Sequence, residues 1–263
     1  MKKLVVVSVF ALLFFFTIAA NAGSNITQLA STSPCQGARC NSSAGTTNGS
    51  LPPGTLFYGG DLDPNDPNQN GLANENDAIV GGNPYGAATY QNFTLSNNSM
   101  VTGLFSNNLS QLTPTNGYWE IRSGVSEGNG GNLIASGTGA VTNTPTGRSD
   151  FGYLEYTNEV DGLNVALNGG TQYWMAVVPV CTTCAGRAFN SDTDGLNSIG
   201  TQQSNNQYFN SAFFGANFTN ANNEGVFQTF SQGVVGTVPE PSSLIMLGSG
   251  LLAAAGVVRR RLS

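Results

Sequence analysis

Between residues 66 and 77 the chain places side-chain oxygens at regular short intervals. In DPNQNGLANEND, Asp66, Asn68 and Asn70 occupy the first, third and fifth positions, Gly71 the sixth, Asn74 the ninth and Asp77 the twelfth. This is the order of oxygen ligands in a twelve-residue calcium loop. Calcium takes about six to eight hard oxygens, and glycine permits the sharp turn between them. Asp66, Asn68, Asn70, Asn74 and Asp77 are therefore candidate calcium ligands, with Asp61 and Asp63 near enough in sequence to add to them. Three features depart from the pattern. Asp77 stands where a longer Glu reaches bidentately, Ala73 fills the eighth position, and no helical pattern flanks the loop. Asn and Asp also favour turns without any ion. NSDTDG, with Asp192, Asp194 and Gly195, is a shorter second candidate.

The other reactive types are few. There is no histidine, which removes Ser-His and Cys-His nucleophiles and His-ligated metals. Four cysteines form two close pairs, Cys35 with Cys40 and Cys181 with Cys184. Three connectivities are open to them, and two local disulfides are expected. A four-cysteine zinc site fits the spacing but not an oxidising compartment. Glu155, Glu159 and Asp161 invite comparison with a glycosidase pair. On one strand Glu155 and Glu159 point the same way about 13 Å apart, beyond the roughly 5–9.5 Å that such pairs span. A solvated strand face is the expectation. Tyr118, Trp119, Tyr153, Tyr156, Tyr173 and Trp174 could stack on sugar rings, but in a β protein such rings are more often core.

Charge is distributed unevenly. Of nine lysines and arginines, Lys2, Lys3, Arg259, Arg260 and Arg261 lie at the two ends. The body keeps Arg39, Arg122, Arg148 and Arg187 against fourteen acids, a formal charge of −10 with no lysine. Such a surface lacks the footprint of a nucleic-acid binder.

What must position these residues reads as strand. YWEIRSG puts Trp119 and Ile121 on one face, and ATYQNFTL and FGYLEYTNEV also alternate. LNVAL aligns Leu163, Val165 and Leu167, and TQYWMAVVPV is apolar on both faces, hence central. QYFNSAFFGANF and GVFQTF supply further strands, whereas the stretch from Asp61 to Gly82 reads as a long acidic loop. No 3.6-residue pattern persists in the body. The expected fold class is all-β, an antiparallel β-sandwich or jelly-roll-like ectodomain.

The ends are different. MKKLVVVSVFALLFFFTIAANA has a basic head, an apolar middle and a small-residue site, the three parts of a secretory signal peptide, with cleavage expected after Ala22. Ser242 to Val258 is an uncharged run of 17 residues. As a helix it would be about 26 Å long, enough for a thin bilayer. Arg259, Arg260 and Arg261 would then remain cytoplasmic. Pro239 and Pro241 keep Glu240 extended at the outer membrane face. The expected division is a signal peptide over 1–22, a loose segment over 23–55, the ectodomain over 56–236 and a tail over 237–263.

VPEP, an apolar run with a Gly-rich middle and a final RRR resemble the PEP-CTERM sorting signal of Gram-negative bacteria. The resemblance implies export through the Sec translocon and anchoring in the inner membrane. It further implies recognition of Pro239, Glu240 and Pro241 by an exosortase, a membrane cysteine protease or transpeptidase, with Arg259 to Arg261 completing the signal. Transfer toward the cell surface and association with exopolysaccharide or biofilm material would follow. The stretch from Asn116 to Val180 is similar to β-sandwich ectodomains that precede such tails. The expectation is a non-catalytic exported surface or matrix protein. The alternative is a calcium-assisted carbohydrate-binding module.

Overall fold

The computed structural model describes residues 51–62, 71–77, 86–181, 183–184, 186–193, 195–200, 206–221 and 229–238, without the side chain of Asp77. Among them there is no α-helix, and fourteen strands are formed. They are β1 (Thr55–Tyr58), β2 (Gly71–Ala73), β3 (Asn76–Asp77), β4 (Ala88–Thr94), β5 (Ser99–Ser110), β6 (Asn116–Ser123), β7 (Asn132–Asp150), β8 (Tyr153–Leu167), β9 (Gln172–Cys181), β10 (Ala188–Thr193), β11 (Tyr208–Ser211), β12 (Ala216–Asn220), β13 (Thr229–Phe230) and β14 (Gln232–Thr237).

Pairing is antiparallel throughout except for β3 beside β9. The hydrogen-bonded order is β1-β14-β5-β8-β7-β6-β9-β4-β11-β12. The 19-residue β7 joins two layers: its first half pairs with β6 through Ala140, and from Val141 it pairs with β8. One layer is thus β1, β14, β5, β8 and the second half of β7. The other is the first half of β7 with β6, β9, β4, β11 and β12. The main core lies between them. Phe57, Val101, Leu104, Val160 and Val234 of the first layer meet Phe93, Ile121, Tyr173, Met175 and Val177 of the second. This is the all-β antiparallel architecture expected, with side chains of two sheets interdigitating.

β9 is apolar on both faces because both are covered. Tyr173, Met175 and Val177 enter the main core, while Trp174, Ala176 and Val178 pack with Tyr90, Tyr208 and Phe218 on the other side. Three local expectations need correction. The stretch read as an acidic loop contains β2, paired with β10, and β3, paired with β9, because adjacent strands offer unpaired backbone groups there. FGYLEYTNEV and LNVAL form a single strand, β8. Gly162, at φ 73°, lies in the irregularity opposite Val101–Gly103 that lets the strand continue. Finally, β5 and β14, the centre of the first layer, are strands that alternation did not single out.

Candidate functional site

Two places bear on function: the buried acids, where chemistry would reside, and the point where the C-terminal tail leaves the fold.

Every arginine among the described residues is paired with a buried carboxylate. Arg122 Nε lies 2.9 Å from Glu120 Oε1, and Glu120 also accepts the hydroxyls of Tyr90 and Tyr118. Arg187 Nε donates to Glu75 Oε1 at 2.6 Å, and the Ala188 N–H donates to Glu75 Oε2 at 2.7 Å. Arg148 bridges two acids, with Nε 2.5 Å from Glu155 Oε2 and Nη1 2.9 Å from Asp61 Oδ1. The composition of β8 led to a solvated face for Glu155, yet its side chain is fully buried. Ser191 and Thr146 donate their hydroxyls to it at 2.6 and 2.8 Å. β10 pairs with β5 on the side away from β8, and Ser191 from it, with Thr146 and Arg148 from β7, supplies the hydrogen bonds that replace the water alternation alone implied.

A polar network extends from there. The Tyr58 hydroxyl donates to Asp61 Oδ1 at 2.7 Å, and the Asn107 amide donates to the Tyr58 hydroxyl at 2.7 Å and to Ser231 Oγ at 2.9 Å. Burial holds the Tyr58 hydroxyl well above the usual tyrosine range, and the charges of Asp61 and Glu155 push it further. Burial opposes the charge on Arg148, but Glu155, Tyr58 and Asp61 outweigh it and raise its value. The network holds its groups in fixed, saturated contacts. It positions no carboxylate toward open space.

Two acids differ. Asp192 is buried with neither carboxylate oxygen hydrogen-bonded, and burial raises it well above the carboxylate range. Glu159 is pushed up to about 7 by burial, then by the hydrogen bond its protonated carboxyl donates to Asp161, two residues along β8, and by the charge of Asp161. These two carboxyls are neighbours on one strand, not partners across a cleft.

The candidate calcium residues are only partly described. Asp66, Asn68 and Asn70 lie outside the described residues. Asn74 is buried and its amide is committed to the interior. Its Nδ2 donates to Asn108 Oδ1 at 2.9 Å and to the Val177 carbonyl at 2.8 Å, and its Oδ1 accepts the Thr89 N–H at 3.3 Å. The backbone of Asp77 lies beside Cys181 in the β3–β9 pair. Among the described residues no group of three or more His, Cys, Asp or Glu side chains is placed to hold a metal ion. Cys181 and Cys184 lie at disulfide distance, with Cα atoms 5.4 Å apart. Cys35 and Cys40 lie outside the described residues. The six candidate sugar-stacking rings are all at least half covered: Trp174 donates its Nε1–H to the Asn206 carbonyl at 2.8 Å, and Tyr153 packs edge-on against Phe189.

The tail departs from a central strand. β14 is paired on one side with β1 and on the other with β5, where Thr237 lies opposite Met100. Thr237 and Val238 are exposed and end the described chain. Pro239, Glu240, Pro241, Arg259, Arg260 and Arg261 lie outside the described residues. A family profile described as the PEP-CTERM protein-sorting motif matches residues 237–261. The match therefore begins at the last residue of β14. No curated protein matches the chain.

Proposed function

From the exosortase sorting motif that this chain carries over residues 237–261, we propose that it is a non-catalytic surface or matrix protein. The motif marks the chain for sorting toward the bacterial cell surface with exosortase as the processing partner. In this reading the Sec translocon exports it behind the cleaved segment 1–22. Residues 242–258 then hold it in the inner membrane of a Gram-negative cell, with Arg259 to Arg261 inside. Exosortase acts at Pro239, Glu240 and Pro241, and the released ectodomain joins the exopolysaccharide outside.

The motif match carries this reading. The interior supports the non-catalytic part of it. The described arginines and the acids Glu75, Glu120 and Glu155 serve one another instead of a cleft, and the turns Ser96–Asn98 and Asn168–Thr171 near the tail exit supply only uncharged residues.

The test is the mature C-terminus. Mass spectrometry of exported protein from a host with an exosortase is expected to find the chain cut within the matched segment. Glu240→Ala is expected to retain residues 242–263 in the membrane fraction. An E240A chain that matures like the wild type would remove the sorting role. A pull-down on the host's exopolysaccharide tests the final association, with loss of retention after polysaccharide digestion as the expected outcome.

A further inference from the structure

The tail leaves the fold beside a defined group of turns. Thr237 is opposite Met100, and two residues before Met100 is the exposed turn Ser96-Asn97-Asn98. That turn is tied to the β8–β9 turn. The Gly170 N–H donates to the Leu95 carbonyl at 2.8 Å, and the Gly169 N–H donates to Asn98 Oδ1 at 2.9 Å. On the other flank of β14 the Gly236 N–H donates to the Gly54 carbonyl at 3.0 Å. The exit and both turns thus share one end of the sandwich. β9 runs away from this end, carrying exposed Thr183 to the opposite one, about 30 Å distant.

Only Pro239, Glu240 and Pro241 separate Val238 from the uncharged run that starts at Ser242. Fully extended, the four Cα steps from Val238 to Ser242 reach about 14 Å. The headgroup layer on one side of a bilayer is roughly 5–8 Å thick. A chain whose residues 242–258 lie in the membrane therefore holds Val238 at most about 6–9 Å above the headgroups, and the Ser96–Asn98 turn begins two residues, about 7 Å, beyond the Thr237–Met100 pair in the direction of the exit.

Charge fits that position. The body carries a formal −10, and bacterial lipid surfaces are commonly anionic. Yet Ser96, Asn97, Asn98, Asn168, Gly169, Gly170 and Thr171 are all uncharged. Glu127, on the β6–β7 hairpin at this end, has its carboxylate held by the Asn220 N–H at 2.6 Å. Arg122, near the same hairpin, is committed to Glu120 and to the Gly130 carbonyl.

We propose that the turns Ser96–Asn98 and Asn168–Gly170 form a membrane-seating surface that rests on phospholipid headgroups while the tail is uncut. The proposal rests on the sorting reading above. It adds a partner, the lipid surface, for a face of the folded domain outside the motif itself.

The full chain, uncut, is reconstituted in vesicles of phosphatidylethanolamine and phosphatidylglycerol containing headgroup-spin-labelled lipid. Asn97→Trp is compared with Thr183→Trp, each read as emission added to that of the unsubstituted chain. Added emission at 97 is expected to be quenched about threefold or more relative to 183, given the roughly 30 Å between the two ends. A flexible Gly-Ser linker inserted after Val238 is expected to abolish that difference. Equal quenching at the two positions in a chain that floats with the vesicles overturns the seating surface and leaves the sorting reading intact. If Asn97→Asp then slows maturation in cells, the surface belongs to the processing enzyme. A chain that does not float refutes the membrane-held tail, and the surface with it.

Discussion

Arg148 Nε lies 2.5 Å from Glu155 Oε2, whose side chain is fully buried. The two residues stand either side of the β7–β8 turn, where Phe151 and Gly152 both have positive φ, at 50° and 82°. A two-residue turn of this hand matches the twist of the strands it joins. The hairpin therefore brings cation and anion together through a local connection, and Asp61 adds a second carboxylate to the same guanidinium.

Removing the cation should be costly. Arg148→Met leaves Glu155 and Asp61 buried without a counter-charge, and about 3–5 kcal/mol of stability is expected to be lost. Pairing it with Glu155→Gln should lose clearly less than the two single changes combined, because the two groups interact directly. Urea denaturation of the secreted ectodomain measures both.

Asp192 should make stability fall with rising pH. Its folded value is raised above the ordinary value of 3.8, so the folded chain binds this proton more tightly than the unfolded chain does. The associated stability is complete below the unfolded value and is lost as pH rises toward the folded one. Asp192→Asn keeps the shape without the ionisation. At pH 7 it is expected to be more stable than the wild type, because the unfolded wild-type chain is ionised there and folding must bury that charge or take up a proton, whereas Asn does neither. At about pH 3 the gain should vanish. Denaturant midpoints at the two pH values decide it.

Glu159 offers a titration that reads burial and a neighbouring charge separately. Its carboxyl carbon is expected to titrate near the value of about 7 to which burial and Asp161 push it. Asp161→Asn removes the neighbouring charge but not the burial, which is the larger cause, so the midpoint should fall without reaching 4.5. Carbon-detected NMR titration of both chains reads the shift directly.

The alternating strands are legible where neighbours in sequence suffice to define them. Trp119 with Ile121, or the doubly apolar run of β9, declare their faces within a few residues. β5 does not. Its Ser106-Asn107-Asn108 has the composition of a turn, yet all three are buried. Asn107 finds Tyr58, Ser231 and Thr157 at sequence separations of 49, 124 and 50, and no local pattern encodes partners that far apart. The same applies to Asn74, a candidate cation ligand by spacing, whose amide is hydrogen-bonded to Asn108, Val177 and Thr89 at distances in sequence that no local pattern reveals. The tail motif was readable because its three parts are contiguous in sequence. The Arg148–Glu155 pair was not, since the strand over residues 132–150 that carries Arg148 beside Glu155 is not marked by alternation up to that point.

Gly169 tests how firmly the two end turns are joined. A Cβ there would lie 2.6 Å from the Asn97 carbonyl carbon and 2.7 Å from its Cα. Both are backbone atoms, so one turn must move. Gly169→Ala is expected to lower stability by about 1–3 kcal/mol, with hydrogen exchange accelerated first at the Gly169 and Gly170 amides. Differential scanning calorimetry and exchange mass spectrometry check the two parts.

Because β14 is flanked by β1 and β5, a tug on the C-terminus is directed lengthwise along that strand. Its cross-strand bonds run perpendicular to the pull and bear the load together in shear, instead of opening one after another like a zip. An envelope protein tethered at this point would resist flow or wall tension with the middle of its first layer and not with a frayed margin.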